Sequence, residues 1–423
     1  MRRRPGGLWR HSDFLWLWSS QTVSQFGSQV SMLALPLVAI SILEESAFKV
    51  AMLGMVEFLP FLLLSLPAGV WVDRLRRKPI LVAADVLRAL ALVSVPVAYW
   101  LDALAIWQLY VVGFVVGAGT VFFDVAYQSF LPTVVARDQL SEGNSKLEVS
   151  RSAAQLAGPG AAGVLIGILT APVAVLADAI SFLVSAILVG RVAAEERQPV
   201  TGDRRSLVSE LWEGLRYVIR HEYVRGMAAS VAIFNFFGNV GGSIMLVYVV
   251  RELGLSATTI GIVLGIGNVG FLVGALVAKR VEARLGVGRT IVGSMALASP
   301  GMLLVPLAPR DLAAPILVAS GAIVGFGVVL YNVTAISLMQ AITPDRILGR
   351  MNASRRFIVW GVIPLGALAG GVLASTIGLR ATLFVAGIGA SLSVLPLLFS
   401  PVRSLVRIPE GDHPEAIASA SSA

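Results

Sequence analysis

The chain has 423 residues, 56% of them apolar and 14% charged, with a formal net charge of +8 at pH 7. So apolar a composition excludes a soluble globular domain and specifies a membrane protein. Cysteine is absent, which excludes disulfides, thiolate catalysis and Cys-ligated metals.

A hydrocarbon core about 30 Å thick is crossed by roughly 20 apolar residues in helical form. Runs near that length predict twelve helices, over 14–42, 48–72, 79–100, 104–131, 145–170, 172–191, 224–250, 257–278, 289–308, 312–339, 350–376 and 381–400. Unpaired strand edges have no place in lipid. The 20 Pro and 42 Gly are compatible with helices because neighbouring helices re-satisfy freed backbone groups. The opening MRRRPGGLWR has the basic start of a signal peptide, but no short apolar stretch with a small-residue cleavage site follows, so the first span is expected to be retained. His11, His221 and His413 all fall outside the spans, and neither a metal site nor a cofactor is expected.

Basic residues gather in alternate loops: Arg2, Arg3, Arg4 and Arg10, then Arg74, Arg76, Arg77 and Lys78, then the arginines from Arg191 to Arg225, then Lys279, Arg280, Arg284 and Arg289. The intervening loops hold only Lys49, Arg251, Arg310 and Arg380. This bias places both termini in the cytoplasm of a cell with the chain in its inner membrane, and it explains the positive charge without a nucleic-acid partner.

A shift of 208 positions lays Gly113, Val116, Gly117, Gly119, Val125 and Ser129 on Gly321, Val324, Gly325, Gly327, Val333 and Ser337, and Asn144 on Asn352. The same shift matches GPGAAGVL to GALAGGVL. Matched segments lie an even number of spans apart, so the halves are parallel repeats, an arrangement that binds substrate near mid-membrane between halves. The expected fold is all-α, with an N-terminal six-helix bundle (1–192), a cytoplasmic linker (193–223), a C-terminal six-helix bundle (224–408) and a disordered tail (409–423). Within the linker, EERQPVTGDRR reads as polar chain. After it Leu207, Leu211, Leu215, Val218 and Ile219 recur at helical spacing opposite Glu210, Glu213, Arg216 and Arg220, predicting a helix lying on the inner leaflet.

Between the second and third spans the chain reads GVWVDRLRRKP. With twelve spans and parallel halves, this stretch resembles the signature of the major facilitator superfamily, matched at Gly69, Asp73, Arg74, Arg77 and Lys78, with Arg76 where a Gly is usual. GPGAAG on the fifth span is similar to that superfamily's antiporter motif at Gly158, Pro159 and Gly163, with Ala162 in place of a usual Gly. LADAISFLVSA and LPTVVARDQLSEGNSKLEVSRSAAQLAGPGAAGVL are similar to the third drug-proton antiporter branch, which exports macrolides and enterobactin. The resemblance implies an Asp73 latch onto the N-terminus of the eleventh helix with Arg350, Arg355 and Arg356. Lys279 and Arg280 would face Glu142 and Glu148 as the repeat-related gate. It also implies an Arg on the fourth helix, which YVVGFVVGAGTVFFDVAYQ lacks.

Ionisable groups inside a span are costly, so each is a functional candidate until a partner explains it. Asp85 and Arg88 are an i,i+3 pair, as are Glu148 and Arg151; Asp178 has no partner along its own helix, and the resemblance makes it a packing position; Asp13 reads as a cap or interface residue. Glu57, near mid-membrane, is either a proton-coupling group or a neutral structural Glu, and Asp124, the repeat equivalent of Asn332, is the second coupling candidate. Gln21, Ser24, Gln25 and Ser28 line one face of the first helix, and Asn235, Asn239 and Ser243 one face of the seventh. Both faces serve a substrate cavity or interhelical hydrogen bonds. Phe122, Phe123, Tyr127 and Tyr331 read as an aromatic pocket or as packing.

GIGNVG (265–270) follows no strand and signals helix packing rather than dinucleotide binding, and no nucleotide-binding P-loop pattern is present. The expectation is a monomeric secondary exporter of amphipathic small molecules working against protons in the lipid bilayer. The alternatives are an uptake symporter of the same fold, or a membrane enzyme or sensor, disfavoured because the spans carry no catalytic constellation and the tail is too short for an output domain.

Overall fold

The computed structural model describes residues 8–136, 139–194, 196 and 207–407; the side chains of residues 66, 70, 73, 141, 207–211, 345, 346 and 353 lie outside the description. Among the described residues every regular element is helical. In the first half these are α1 (Ser12–Leu37, running on through a π turn to Ile42), α2 (Ala47–Arg74), α3 (Arg77–Trp100), α4 (Ile106–Val134), α5 (Leu140–Leu169) and α6 (Ala171–Gly190). The short α7 (Leu207–Arg220) precedes α8 (Glu222–Arg251), α9 (Ala257–Gly267), α10 (Val269–Leu285), α11 (Val287–Gly301), α12 (Leu304–Leu307), α13 (Ala313–Ile342), α14 (Asp345–Ile377), α15 (Leu379–Ser391) and α16 (Leu395–Leu398). Among the described residues twelve stretches are long and apolar enough to cross a membrane, and each falls on a span expected from the sequence.

Some spans are broken rather than continuous: the ninth passes from α11 to α12 and the twelfth from α15 to α16. The eighth runs Ala257–Leu285 as two helices that part at Asn268, and on either side of the break Gly267 and Gly270 lie close against α13. A Cβ at Gly270 would meet the Ala322 carbonyl at 2.0 Å, and one at Gly274 the Phe326 carbonyl at 2.9 Å. These glycines provide close helix approach, the means by which helices associate where lipid offers no hydrophobic drive.

The chain forms two compact units, one of α1–α6 with the Ser256–Gly265 stretch, the other of α7, α8 and the chain from Ile266 onward. In the first unit α1 packs on α5 and α6, α2 on α4, and α3 on α4 and α6. In the second, α8 packs on α14 and α15, α10 on α13, and α11 on α13 and α15. The pairings recur in the same chain order, the structural form of the repeat.

Three local features position the functional groups. Gly27 lets α1 close on α6, since a Cβ there would lie 2.0 Å from Ser181 Oγ. The start of α3 receives no cap from its own Arg76 side chain. Instead the Arg77 and Lys78 backbone N–H groups donate to the Glu196 carboxylate at 2.6 and 2.7 Å, and Lys78 Nζ donates to the Val192 carbonyl at 2.7 Å. Within the stretch expected to be polar linker, Glu196 is thus a cap for α3, and Asp13 ties the preceding chain by accepting from the Ala193 N–H at 3.0 Å; residues 195 and 197–206 lie outside the described residues. Finally α7 lies on α14: Gly214 permits contact with the Arg350 carbonyl, and Arg350 Nη1 donates to Glu213 at 2.6 Å. Trp212, Arg216, Ile219 and Arg220 are left exposed.

Gly27→Ala is expected to lower stability by roughly 1–3 kcal/mol through overpacking, read as a lower melting temperature in detergent; an unchanged value would contradict the close α1–α6 contact. Glu196→Ala is expected to cost about 0.5–2 kcal/mol, the range for a lost helix cap, and to speed protease cleavage after α6, whereas equal cleavage rates would remove Glu196 as the clasp.

Candidate functional site

The first unit carries a polar core at the meeting of α1, α3, α4 and α6. Asp85 and Asp178 are 0% exposed and Arg88 is 5% exposed. Helical spacing puts Asp85 and Arg88 on one face of α3, where Arg88 Nη2 donates to Asp85 Oδ1 in a short ion pair. The other side of the guanidinium faces α4: Nη1 donates to Thr120 Oγ1 at 3.3 Å, and the group lies 4.7 Å from the Phe123 ring centre and 4.0 Å from that of Phe182 on α6. Gly119 makes the room, since a Cβ there would meet Arg88 Cγ at 2.7 Å. The fourth helix, lacking an Arg of its own, therefore receives one from the third.

Asp178 is not the isolated packing residue that its helix suggests. Ser181 Oγ lies 2.8 Å from the Asp178 carbonyl oxygen and 3.1 Å from its Oδ1, so the hydroxyl donates within the turn. Ser31 of α1 stands beside Asp178 and Ser185 beside Asp85, and both Arg88 and Asp85 act electrostatically on Asp178. Sequence reasoning found the Asp85–Arg88 pair but missed this link, which joins residues far apart in the chain.

Glu57 occupies a different place, half-buried on α2 against the glycine stripe of α4. A Cβ at Gly113 would sit 2.9 Å from Glu57 Cγ, and one at Gly117 2.3 Å from the Glu57 carbonyl oxygen. Among the described residues nothing forms a hydrogen bond or ion pair with its carboxyl. Asp124 is exposed on α4 beside Tyr127, whose ring stacks on Phe123 at 6.2 Å. Phe122 instead stacks on Trp71 of α2 at 5.8 Å.

The polar faces divide. On α1, Gln21 and Ser24 are buried, Ser28 is half-buried, and Gln25 Nε2 donates to Gln21 Oε1 at 3.3 Å. On α8, Asn235 Nδ2 donates to the Val359 carbonyl at 3.0 Å and Ser243 Oγ to the Ala367 carbonyl at 3.3 Å, both on α14, while Asn239 Nδ2 donates to the Asn235 carbonyl at 2.8 Å. Tyr331 is buried with its hydroxyl donating to the Met227 carbonyl at 2.9 Å, and Asn332 is exposed.

In the antiporter-like motif, Gly158 seats the Gln29 side chain, and Pro159 and Gly163 lie against Gly261. Thr258 Oγ1 adds a hydrogen bond to the Gly163 carbonyl at 3.3 Å. Of the gating residues, the Asp73 side chain lies outside the described residues; Gly69 has open space about its Cα, and Arg74, Glu148, Lys279, Arg280 and Arg356 are exposed. Glu142 accepts from the Leu8 N–H at 3.4 Å and pairs with Lys146 at 3.4 Å. Arg355 is half-buried, and Arg356 sits over the Trp360 ring at 5.4 Å. No group of His, Asp and Glu able to hold a metal occurs among the described residues.

Among the described residues the embedded carboxyls can take up and release protons, and no nucleophile stands beside a base. Comparison with known proteins agrees with a transport role. The sequence is similar to macrolide efflux protein A of Streptococcus pyogenes, 24% identical over 88% of this chain and 92% of that protein. It is also similar to the multidrug efflux pump Tap of Mycobacterium tuberculosis, 27% identical over 93% of this chain and 95% of that one. The fold is similar to a bacterial homologue of the iron transporter ferroportin in an inward-facing state, with TM-score 0.74 and 18% identity over 93% of this chain and 99% of that chain. A bacterial homolog of the human lysosomal transporter Spinster gives 0.71 and 13% over 93% and 97%. The model of the family described as transmembrane secretion effector matches residues 7–420. The chain belongs to that family of major facilitator transporters, and is a multi-pass membrane transporter rather than an enzyme.

Proposed function

We propose that this chain exports amphipathic small molecules of the macrolide or related drug and siderophore classes from the cytoplasm, in exchange for protons and by alternating access. The observation that carries the proton coupling is Glu57, a carboxyl within a membrane span, packed on the Gly113–Gly117 stripe with no cation or hydrogen-bond donor on it among the described residues. A carboxylate so placed is costly to keep charged, which suits a group that exchanges a proton in each cycle. Relatives named for macrolide and multidrug efflux, matched along nearly their whole length, support the substrate class and the outward direction. Asp124, beside the aromatic pair Phe123–Tyr127, is the second coupling group, and both termini are assigned to the cytoplasm from the basic loops.

Energised inverted vesicles have an acidic lumen, and adding a macrolide is expected to discharge it through the wild-type protein. Glu57→Gln should abolish the discharge and leave the melting temperature in place, with Asp124→Asn giving a partial loss. Discharge by Glu57→Gln equal to wild type would remove Glu57 as the coupling group, and no drug-driven discharge by wild type would overturn proton antiport. Acidification of the medium reversed in sign would instead establish uptake symport.

A further inference from the structure

We propose that the Asp85–Arg88–Asp178 cluster is a second proton-binding site, separate from Glu57, which holds one proton on Asp178. Charge sets the first requirement. Two carboxyls and one guanidinium, 0%, 0% and 5% exposed, lie inside a helix bundle whose surroundings are hydrocarbon. With both acids ionised the cluster would keep one uncompensated negative charge away from water, a state that low dielectric strongly disfavours. One bound proton makes the cluster neutral.

Hydrogen-bond geometry indicates where the proton sits. Arg88 gives its Nη atoms to Asp85 and Thr120 and its faces to Phe123 and Phe182, its Nε is buried without a hydrogen bond, and no hydrogen bond joins it to Asp178 among the described residues. Asp178 is served by hydroxyls alone, through Ser181 and its neighbour Ser31. Asp178 Oδ2, Asp85 Oδ2, Ser31 Oγ and Ser185 Oγ are all buried without a closed hydrogen bond. A proton on Asp178 Oδ2 converts the carboxylate to a carboxylic acid whose O–H donates to the Ser31 oxygen beside it, so an acceptor short of a donor becomes the donor.

The elements around the site contribute Ser31 from α1, Asp85 and Arg88 from α3, Thr120 and Phe123 from α4, and Ser181, Phe182 and Ser185 from α6. Arg88 and Asp85 are the charged groups beside Asp178 among the described residues, whereas Glu57 of α2 packs on the Gly113–Gly117 stripe of α4. The use of this proton in transport rests on the antiport reading above, but its presence does not.

Infrared difference spectroscopy of the purified protein in lipid at neutral pH counts protonated carboxyls by their deuterium-sensitive carbonyl stretch. Wild type minus Asp178→Asn is expected to show one such band. The band should also vanish in Asp85→Asn, where a single acid remains to balance Arg88, and a second band should appear in Arg88→Gln. Its absence from wild type, or its persistence at full strength in both Asp→Asn variants, would overturn the proposal. Should Asp178→Asn not fold, Asp178→Glu keeps the acid and should shift the band, an unshifted band counting against the site. In the vesicle assay, Asp178→Asn should reduce drug-driven discharge at least about tenfold, and full-sized discharge would overturn the transport role. If wild type shows no discharge, the antiport reading fails, and the infrared band still decides whether the proton is there.

Discussion

Hydrocarbon supplies no water to a buried charge, so every ionisable group inside the bundle must find compensation from its own chain. The first unit meets that constraint in two ways. Where a cation is available, as at Arg88, the carboxyl of Asp85 pairs with it and the remaining face of the guanidinium is absorbed by Thr120, Phe123 and Phe182. Where none is available, as at Glu57, the proton of the proposed exchange would be the compensating charge. A transporter can exploit this second arrangement, because a proton that neutralises a buried acid is exchangeable whereas a guanidinium is not.

Small residues make these placements possible. Gly27 and Gly119 open the space occupied by Ser181, Asp178 and Arg88, and Gly113 and Gly117 do the same for Glu57. The glycine stripes thus bring helices together and at the same time leave room for polar side chains at the contact. The GPGAAG stretch has the same physical character: Gly163 and Gly261 meet backbone to backbone, and Thr258 Oγ1 binds the Gly163 carbonyl at the same contact.

What could be read from the sequence follows the range over which each signal acts. The twelve spans were legible because hydrophobic length is a property of some twenty consecutive residues, and the repeat because a constant offset needs no knowledge of contacts. The Asp85–Arg88 pair was legible for its i,i+3 spacing. By contrast the Glu196 cap on α3 joins residues 119 apart and the Arg350–Glu213 bond residues 137 apart, and nothing in the local pattern marks either partner. Asp178 escaped for the same reason, since its partners on α1 and α3 are distant in sequence. The parting of the eighth span at Asn268 was hidden because Gly-rich helix and Gly-rich turn share one composition.

Together these features describe a membrane transporter with buried acids in its first unit, and the efflux proposal combines those acids with relatives named for drug export. The most direct measurement is uphill movement of a labelled macrolide in proteoliposomes holding the protein, with an imposed pH gradient as the sole energy source. Accumulation on the acidic side that collapses when a protonophore dissipates the gradient is the predicted result. Accumulation that survives the protonophore, or none with the gradient intact, would contradict proton-driven export.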